Sequence, residues 1–357
     1  MTATVLAGWL GVIEQAASRY GLDFASLLQR SGIDPELLQQ GTARVPQRKI
    51  SDLMQLAMVM SNDRGFALTV ARQVRPPSWY SLGYAIWASD TLLQGCQRLQ
   101  HCAGLFADAF HVQLIEHDSE LQVVLRQAPL LRDPLLMLDW EVFAATIVLT
   151  IRHLHPAKPQ PLRVVLPGPE PEMTVPFKRL FGEALAWRGE EVVLTFSASL
   201  MKEWLPGRNP ELARQHDELS QRYLQAMSYR SFSRQVYEQL LSRDSLREVE
   251  AAQVAEALHM NLRTFQRRLQ DEECCFRELL DQARHALCCR YLNNEQLSMG
   301  EISYLLGFAN VSNLYRAFRR WRQEAPGEYR QRRRHDSLAC LQTGGRSAQT
   351  LIPVIFQ

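Results

Sequence analysis

Two short stretches of this 357-residue chain carry side chains at spacings that could do chemistry. In LRTFQRRLQ, which starts at Leu262, Arg263, Gln266, Arg267 and Gln270 recur at i, i+3, i+4 and i+7, one side of a helix. In VSNLYRAFRRW, which starts at Val311, Ser312, Asn313, Arg316, Arg319 and Arg320 take the polar side. Such groups read paired donors and acceptors. Arginine makes two bonds to guanine O6 and N7 or to a phosphate, and glutamine makes two to adenine N6 and N7. Opposite them run apolar stripes, Leu262, Phe265 and Leu269 in the first stretch and Leu314, Ala317, Phe318 and Trp321 in the second.

The flanking sequence shows what must position these faces. VAEAL precedes the first stretch and ISYLL the second, each a short apolar-patterned helix ending in a leucine (Leu258, Leu306) before a tight turn. Gly307 suits a turn that needs positive φ, and Asn261 suits the start of the helix that follows it. Aligning Phe265 with Leu314 also aligns Arg267 with Arg316, 49 residues on. The form is helix, turn, helix, twice. The first helix of such a unit sets the angle of the second, which can enter a groove about 12 Å wide. FRELLDQARHALCCRYL lies between them as a helix about 25 Å long. A rigid spacer of that length could hold two reading helices near the separation of successive major grooves, about 34 Å.

The bulk numbers bound the rest. The length predicts two domains. A net charge of +2 argues against a nonspecific architectural DNA binder, which would be richer in lysine. Lysine occurs only at Lys49, Lys158, Lys178 and Lys202, and every later cation is arginine. From 231 to 334 there are 17 arginines against 14 acids. VFAATIVLTI is about half a membrane span and reads as a buried helix. The N-terminus lacks the basic flank of a signal peptide. Seven cysteines without metal spacing fit a reducing cytoplasm, with Cys288 and Cys289 filling small positions on the spacer helix. His101, His111, His117, His153 and His155 lack a ligand pattern, so no metal is expected. No phosphate loop, nucleophile elbow or HExxH occurs, which counts against an enzyme.

Before residue 200 the patterns are mixed. Helices are expected over 5–40, 47–60, 63–73, 90–110 and 133–154, with Asp34 capping a short helix that begins at Pro35. FHVQLIEHDSELQVVLR reads as a hairpin turning at Asp118-Ser119, and LRVVL and EEVVLTF read as strands. From about 208 onward everything is helical in pattern. The fold class expected is an α+β N-terminal domain followed by an all-α C-terminal domain, with two helix-turn-helix units joined by a linker helix. The boundaries fall at 1–205, a linker over 206–232, the DNA-binding region over 233–334 and a loosely ordered tail over 335–357.

Residues 233–330 resemble the DNA-binding domain of the AraC/XylS family of bacterial transcription regulators. Glu301, Ile302, Leu306, Gly307, Phe308, Ser312, Arg316, Phe318, Trp321, Pro326, Tyr329 and Arg330 stand at the spacings of that family's second motif. The chain departs from the pattern at Ser303, Leu314 and Gln323, and at His259 and Glu273, where glycines are usual. ARVPQRKISDLMQLA, DRGFALTVARQ, YSLGYAIWASDTLLQGCQRLQ and VPFKRLFGEAL are similar to the arabinose-binding-type sensor domain of some members.

The resemblance implies a cytoplasmic, nucleoid-associated regulator, an effector-responsive activator that reads two adjacent major grooves. Its partners would be double-stranded promoter or operator DNA, RNA polymerase and a small-molecule effector of unknown identity, with room for a homodimer. It implies no cofactor. The alternative is a ligand-independent regulator or repressor whose N-terminal domain only dimerises. DNA contacts are expected from Arg263, Gln266, Arg267, Ser312, Asn313, Arg316, Arg319 and Arg320, the last two to phosphates. Arg44, Trp79, Tyr80, Tyr84 and Trp87 are the candidates for an effector pocket.

Overall fold

The computed structural model describes residues 3–128, 135–230, 232–272, 274–292, 294, 296–322 and 324–331. The chain divides into two units, Met1–Arg230 and Ser231–Gln357. The tail over 335–357, Glu273 and Gln323 lie outside the described residues.

In the first unit β1 (Thr4–Leu6) leads into α1 (Gly8–Ser18) and α2 (Phe24–Arg30), and β2 (Arg44–Pro46) pairs antiparallel with β1. The helical pattern over 5–40 is therefore interrupted. Asp34 does accept a bond from the Glu36 amide at 3.0 Å at the start of a 3₁₀ turn, Pro35–Gln39. Next come α3 (Gln47–Ser61), α4 (Phe66–Gln73), α5 (Tyr80–Trp87) and α6 (Leu92–Phe106). The expected hairpin forms as β3 (Phe110–Glu116) and β4 (Glu120–Gln127), registered from Phe110 opposite Gln127 to Glu116 opposite Leu121. After α7 (Met137–Leu154) come β5 (Arg163–Leu166), α8 (Val175–Phe181), β6 (Leu185–Trp187), β7 (Val192–Ser197) and α9 (Ala198–Met201). The sheet order is β3-β4-β7-β5-β6, with only the β5–β6 pair parallel. VFAATIVLTI is core, its residues from Val142 to Val148 all buried in α7. Around it Trp9, Phe106, Phe110 and Phe143 pack ring on ring, with Phe110 and Phe143 4.1 Å apart.

The stretch over 206–232 holds a 21-residue helix, α10 (Pro210–Arg230). Polar and aromatic contacts fasten it to α5 and α6. Asp217 takes Arg98 at 3.0 Å, Ser220 meets Ser81 at 2.8 Å, and His216 stacks on Tyr84 with ring centres 4.9 Å apart.

The second unit is helical: α11 (Phe232–Leu241), α12 (Ala251–Ala257), α13 (Leu262–Asp271), α14 (Phe276–Leu292), α15 (Met299–Leu305) and α16 (Val311–Arg322), then one more turn over 326–331. Its core is built of leucines, among them Leu240, Leu269, Leu279 and Leu287, around a few aromatic rings. Phe265 lies between Phe232 and Phe276 at 5.4 and 5.9 Å, and Phe318 lies against Tyr329 at 5.4 Å.

Candidate nucleic-acid interface

The two helix-turn-helix units, α12–α13 and α15–α16, are built the same way at their turns. In the first, His259 adopts φ 56° and the Met260 amide reaches back to the Ala255 carbonyl at 3.0 Å. In the second, Gly307 adopts φ 71° and the Phe308 amide reaches the Ser303 carbonyl at 3.0 Å. Each is a left-handed helix stop that satisfies an otherwise orphaned carbonyl. An asparagine then restarts the chain as a helix. Asn261 accepts from the Thr264 amide at 2.8 Å, and Asn310 accepts from the Asn313 amide at 2.9 Å. The second turn has one residue more, which is why the leucines before the turns lie 48 apart and the paired helices 49.

The two stops differ in their surroundings. His259 is exposed, so its imidazole projects into solvent and only the backbone dihedral is unfavourable. His259→Gly is expected to stabilise the second unit by about 1 kcal/mol. A rise in the urea midpoint of residues 225–334 at constant slope checks this, and an unchanged midpoint counts against it.

On α13, Arg263, Gln266, Arg267 and Gln270 are exposed, while Phe265 and Leu269 are buried. Arg263, Gln266 and Arg267 have no hydrogen-bond or ionic partner among the described residues. Leu262, expected in the apolar stripe, is instead 40% exposed. It is the first residue of the helix, and helical side chains lean toward the N-terminus, so it overhangs the end with nothing to pack on. On α16 the stripe Leu314, Ala317 and Phe318 is buried, and Ser312, Arg316, Arg319 and Arg320 are exposed. Arg316 donates to the Asn313 carboxamide one turn back. Ser312 and Arg319 are without partners among the described residues. Arg320 is ion-paired to Asp281 of α14 at 2.6 Å. Trp321 and Phe308 are half-buried rather than core.

α14 joins the two units through three residues that the sequence patterns do not mark, Asp281, Arg284 and His285. They fall at i, i+3 and i+4, one face toward the second turn and α16, with the buried Cys288 a turn further on. Asp281 also accepts from the Trp321 indole at 2.9 Å. Arg284 donates to the carbonyls of Leu306 and Gly307 at 2.8 and 3.2 Å, with its guanidinium over Phe308 at 5.2 Å. His285 lies on Trp321 with ring centres 5.1 Å apart. Burial, then the Arg322 charge, pushes the His285 imidazole down to about 4, with Asp281 opposing. Cys288 is buried, which pushes its thiol up and leaves it the inert filler expected.

The depressed His285 value fixes the sign of a pH effect. Between 6.5 and about 4 the unfolded chain binds a proton that the folded unit does not. Stability from this group is complete above 6.5 and falls as the pH drops. The loss is about 1 kcal/mol or more for each pH unit within that window. Melts of residues 225–334 at pH 7 and pH 5 should show wild type losing about 1–2 kcal/mol more than His285→Gln. Equal losses would remove His285 as the cause.

The five residues picked for an effector pocket do not converge. Arg44 binds Thr4 through Oγ1 and the carbonyl at 3.0 and 2.9 Å, and Asp108 at 3.5 Å, tying β1 to the end of α6. Trp79 is buried and stacked on Phe106 at 5.0 Å, and Tyr80 lies on Tyr223 of α10 at 5.4 Å. Tyr84 is 40% exposed over His216. Trp87 lines a groove at the end of α7.

Two helix-turn-helix units on one spacer helix, behind a mixed sheet-and-helix domain, define a DNA-binding transcription regulator rather than an enzyme. Residues 21–205 match the family described as the arabinose-binding domain of AraC transcription regulators, and residues 254–332 match a helix-turn-helix domain family. The chain belongs to the AraC family of transcription regulators. It is 24% identical to the ornithine utilization regulator of Pseudomonas aeruginosa over 88% of this chain and 92% of that protein. It is 38% identical to the regulator VqsM of the same organism over 76 residues, 21% of this chain and 23% of that one. The crystal structure of the regulator CdpR from Pseudomonas aeruginosa, 20% identical, aligns over 90% of this chain and 98% of that chain with a TM-score of 0.43. No helix among the described residues is long and apolar enough to cross a membrane.

Proposed function

We propose that α13 and α16 are recognition helices that enter successive major grooves of an operator. Arg263, Gln266 and Arg267 on the first, and Ser312, Asn313 and Arg316 on the second, would read base edges. Arg319 and Arg320 would hold phosphates, Arg320 while paired to Asp281. The observation that carries this reading is the matched pair of left-handed stops and asparagine caps. They start both helices alike and leave Arg263, Gln266, Arg267 and Ser312 exposed and without partners among the described residues. The residues before 206 form the effector-sensing and dimerising domain, and residues 206–232 transmit its state to the DNA reader over 233–334. The regulator acts as an activator that contacts RNA polymerase.

Fluorescence anisotropy of the full chain tests the reading, with the intergenic DNA beside its own gene and a shuffled copy over a range of salt. A preference of at least ~10³ for the native sequence is expected. The affinity should fall steeply with salt. Equal affinity for both DNAs, in the full chain and in residues 225–334, would overturn sequence-specific reading.

A further inference from the structure

Among the described residues, the half-buried arginines of the first unit follow a pattern with one exception. Arg44, Arg64, Arg98, Arg126 and Arg163 each hold a carboxylate: Asp108, Glu141, Asp217, Glu191 and Glu120. Arg152, near the end of α7, holds none among the described residues. Its bonds go to the Pro159 carbonyl, the Gln160 carboxamide and the Leu180 carbonyl, and its Nη1 has no partner among the described residues. Burial without a balancing anion lowers its pKa. The nearby carboxylate is already used. His155 Nδ1 accepts from the Ala157 amide at 3.2 Å, so the proton sits on Nε2, which donates to Glu203 at 3.1 Å.

Arg152 lines a groove of about 550 Å³, within the range of small-molecule sites. Lys158, without a side-chain partner among the described residues, lines the same groove, and the half-buried Trp87 and Leu154 supply an apolar surface. Two cations beside an apolar surface fit an anion with an apolar body. We propose that this groove binds a small carboxylate with an aromatic or branched aliphatic body, its carboxylate on Arg152 and Lys158 and its body on Trp87 and Leu154. The inference rests on the effector-sensing reading above and gives it a site and a ligand class.

The groove adjoins the route to α10. Leu205, Pro206 and Gly207 form part of its wall. The Leu205 and Asn209 amides are held by the carbonyls of Asp90 and Ala88 at 2.8 and 2.9 Å. Asn209 then caps α10 through the Leu212 amide at 3.1 Å. A ligand seated on Trp87 also meets the exposed Pro206 and Gly207, and so loads the segment that starts the last helix of the unit.

Calorimetric titration of the full chain with benzoate and 4-methylpentanoate, and with the corresponding neutral amides, tests the site. Sub-millimolar binding of at least one carboxylate is expected, with its amide at least about tenfold weaker. Arg152→Gln should weaken the carboxylate at least about tenfold. Lys158→Gln, at an exposed position that holds nothing in the fold, should weaken it about threefold and guards against misfolding of the first variant. No carboxylate binding up to 10 mM, equal binding of acid and amide, or wild-type affinity in Lys158→Gln together with a folded Arg152→Gln would each overturn the proposal. DNA affinity of the same samples separates the two readings. Carboxylate binding that leaves DNA affinity unchanged keeps the site and overturns the effector role, and intact DNA binding without carboxylate binding overturns the site alone.

Discussion

Gly307→Ala is expected to destabilise the second unit by about 2–5 kcal/mol, a large part of the stability of a small domain. The backbone contributes first. At φ 71° an added Cβ costs about 1–2 kcal/mol. Sterics add to it, because that Cβ would stand 2.7 Å from the Leu246 carbonyl oxygen and 3.0 Å from the Arg247 Cα. Neither can retreat easily. The Leu246 amide is bonded to the Leu305 carbonyl at 2.7 Å, and the Ser245 hydroxyl to the same carbonyl at 3.0 Å. Arg284 closes the third side, 3.2 Å from the added carbon and bonded to Gly307 itself. Overpacking of this kind costs about 1–3 kcal/mol. Gly307 is thus where the lead-in to the first helix-turn-helix, the spacer helix and the turn of the second meet. Urea melts of residues 225–334 check the value, and a wild-type midpoint would refute it. His259→Gly is the natural companion, since it makes the reverse exchange at a stop that lies in solvent.

That contrast shows what the sequence could and could not reveal. The arginine faces of α13 and α16 were legible because a 3.6 period sorts Phe265 and Leu269 from Arg263, Gln266 and Arg267 using neighbours alone. Gly307 was legible as a turn, yet its close approach to Leu246 was not, because that contact joins residues 61 positions apart. The same limit hid the Asp281 pair. Arg320 reads as a free cation until α14 is laid against α16. In the first unit the β3–β4 hairpin was plain from alternation, whereas β1, β2 and β6 span three residues each, too few to show a period. Arg44 looked like an anion anchor, and the acid that holds it, Asp108, lies 64 positions away. Leu262 shows the opposite failure, a stripe residue by spacing that a helix end leaves without a partner.

Arg267 and Arg316 give the second large effect. They occupy equivalent places on the two proposed recognition helices, and each is exposed. Losing a two-bond contact to a base costs about 1–3 kcal/mol. The two sites stand on separate helix-turn-helix units with no shared partner, so their losses should add. Arg267→Ala combined with Arg316→Ala is expected to weaken operator binding by about 10²–10⁴-fold. Binding to shuffled DNA should fall far less, since there neither side chain meets its base. The preference for the operator over random DNA is therefore the quantity to measure. Arg319→Ala is the control. It has no partner among the described residues and lies toward the end of α16, so it should weaken both DNAs alike and flatten the salt slope by about one unit. If the double variant instead loses equally on operator and shuffled DNA, the two arginines are phosphate contacts. The reading of bases would then pass to Gln266, Ser312 and Asn313, the remaining polar groups on the same two faces.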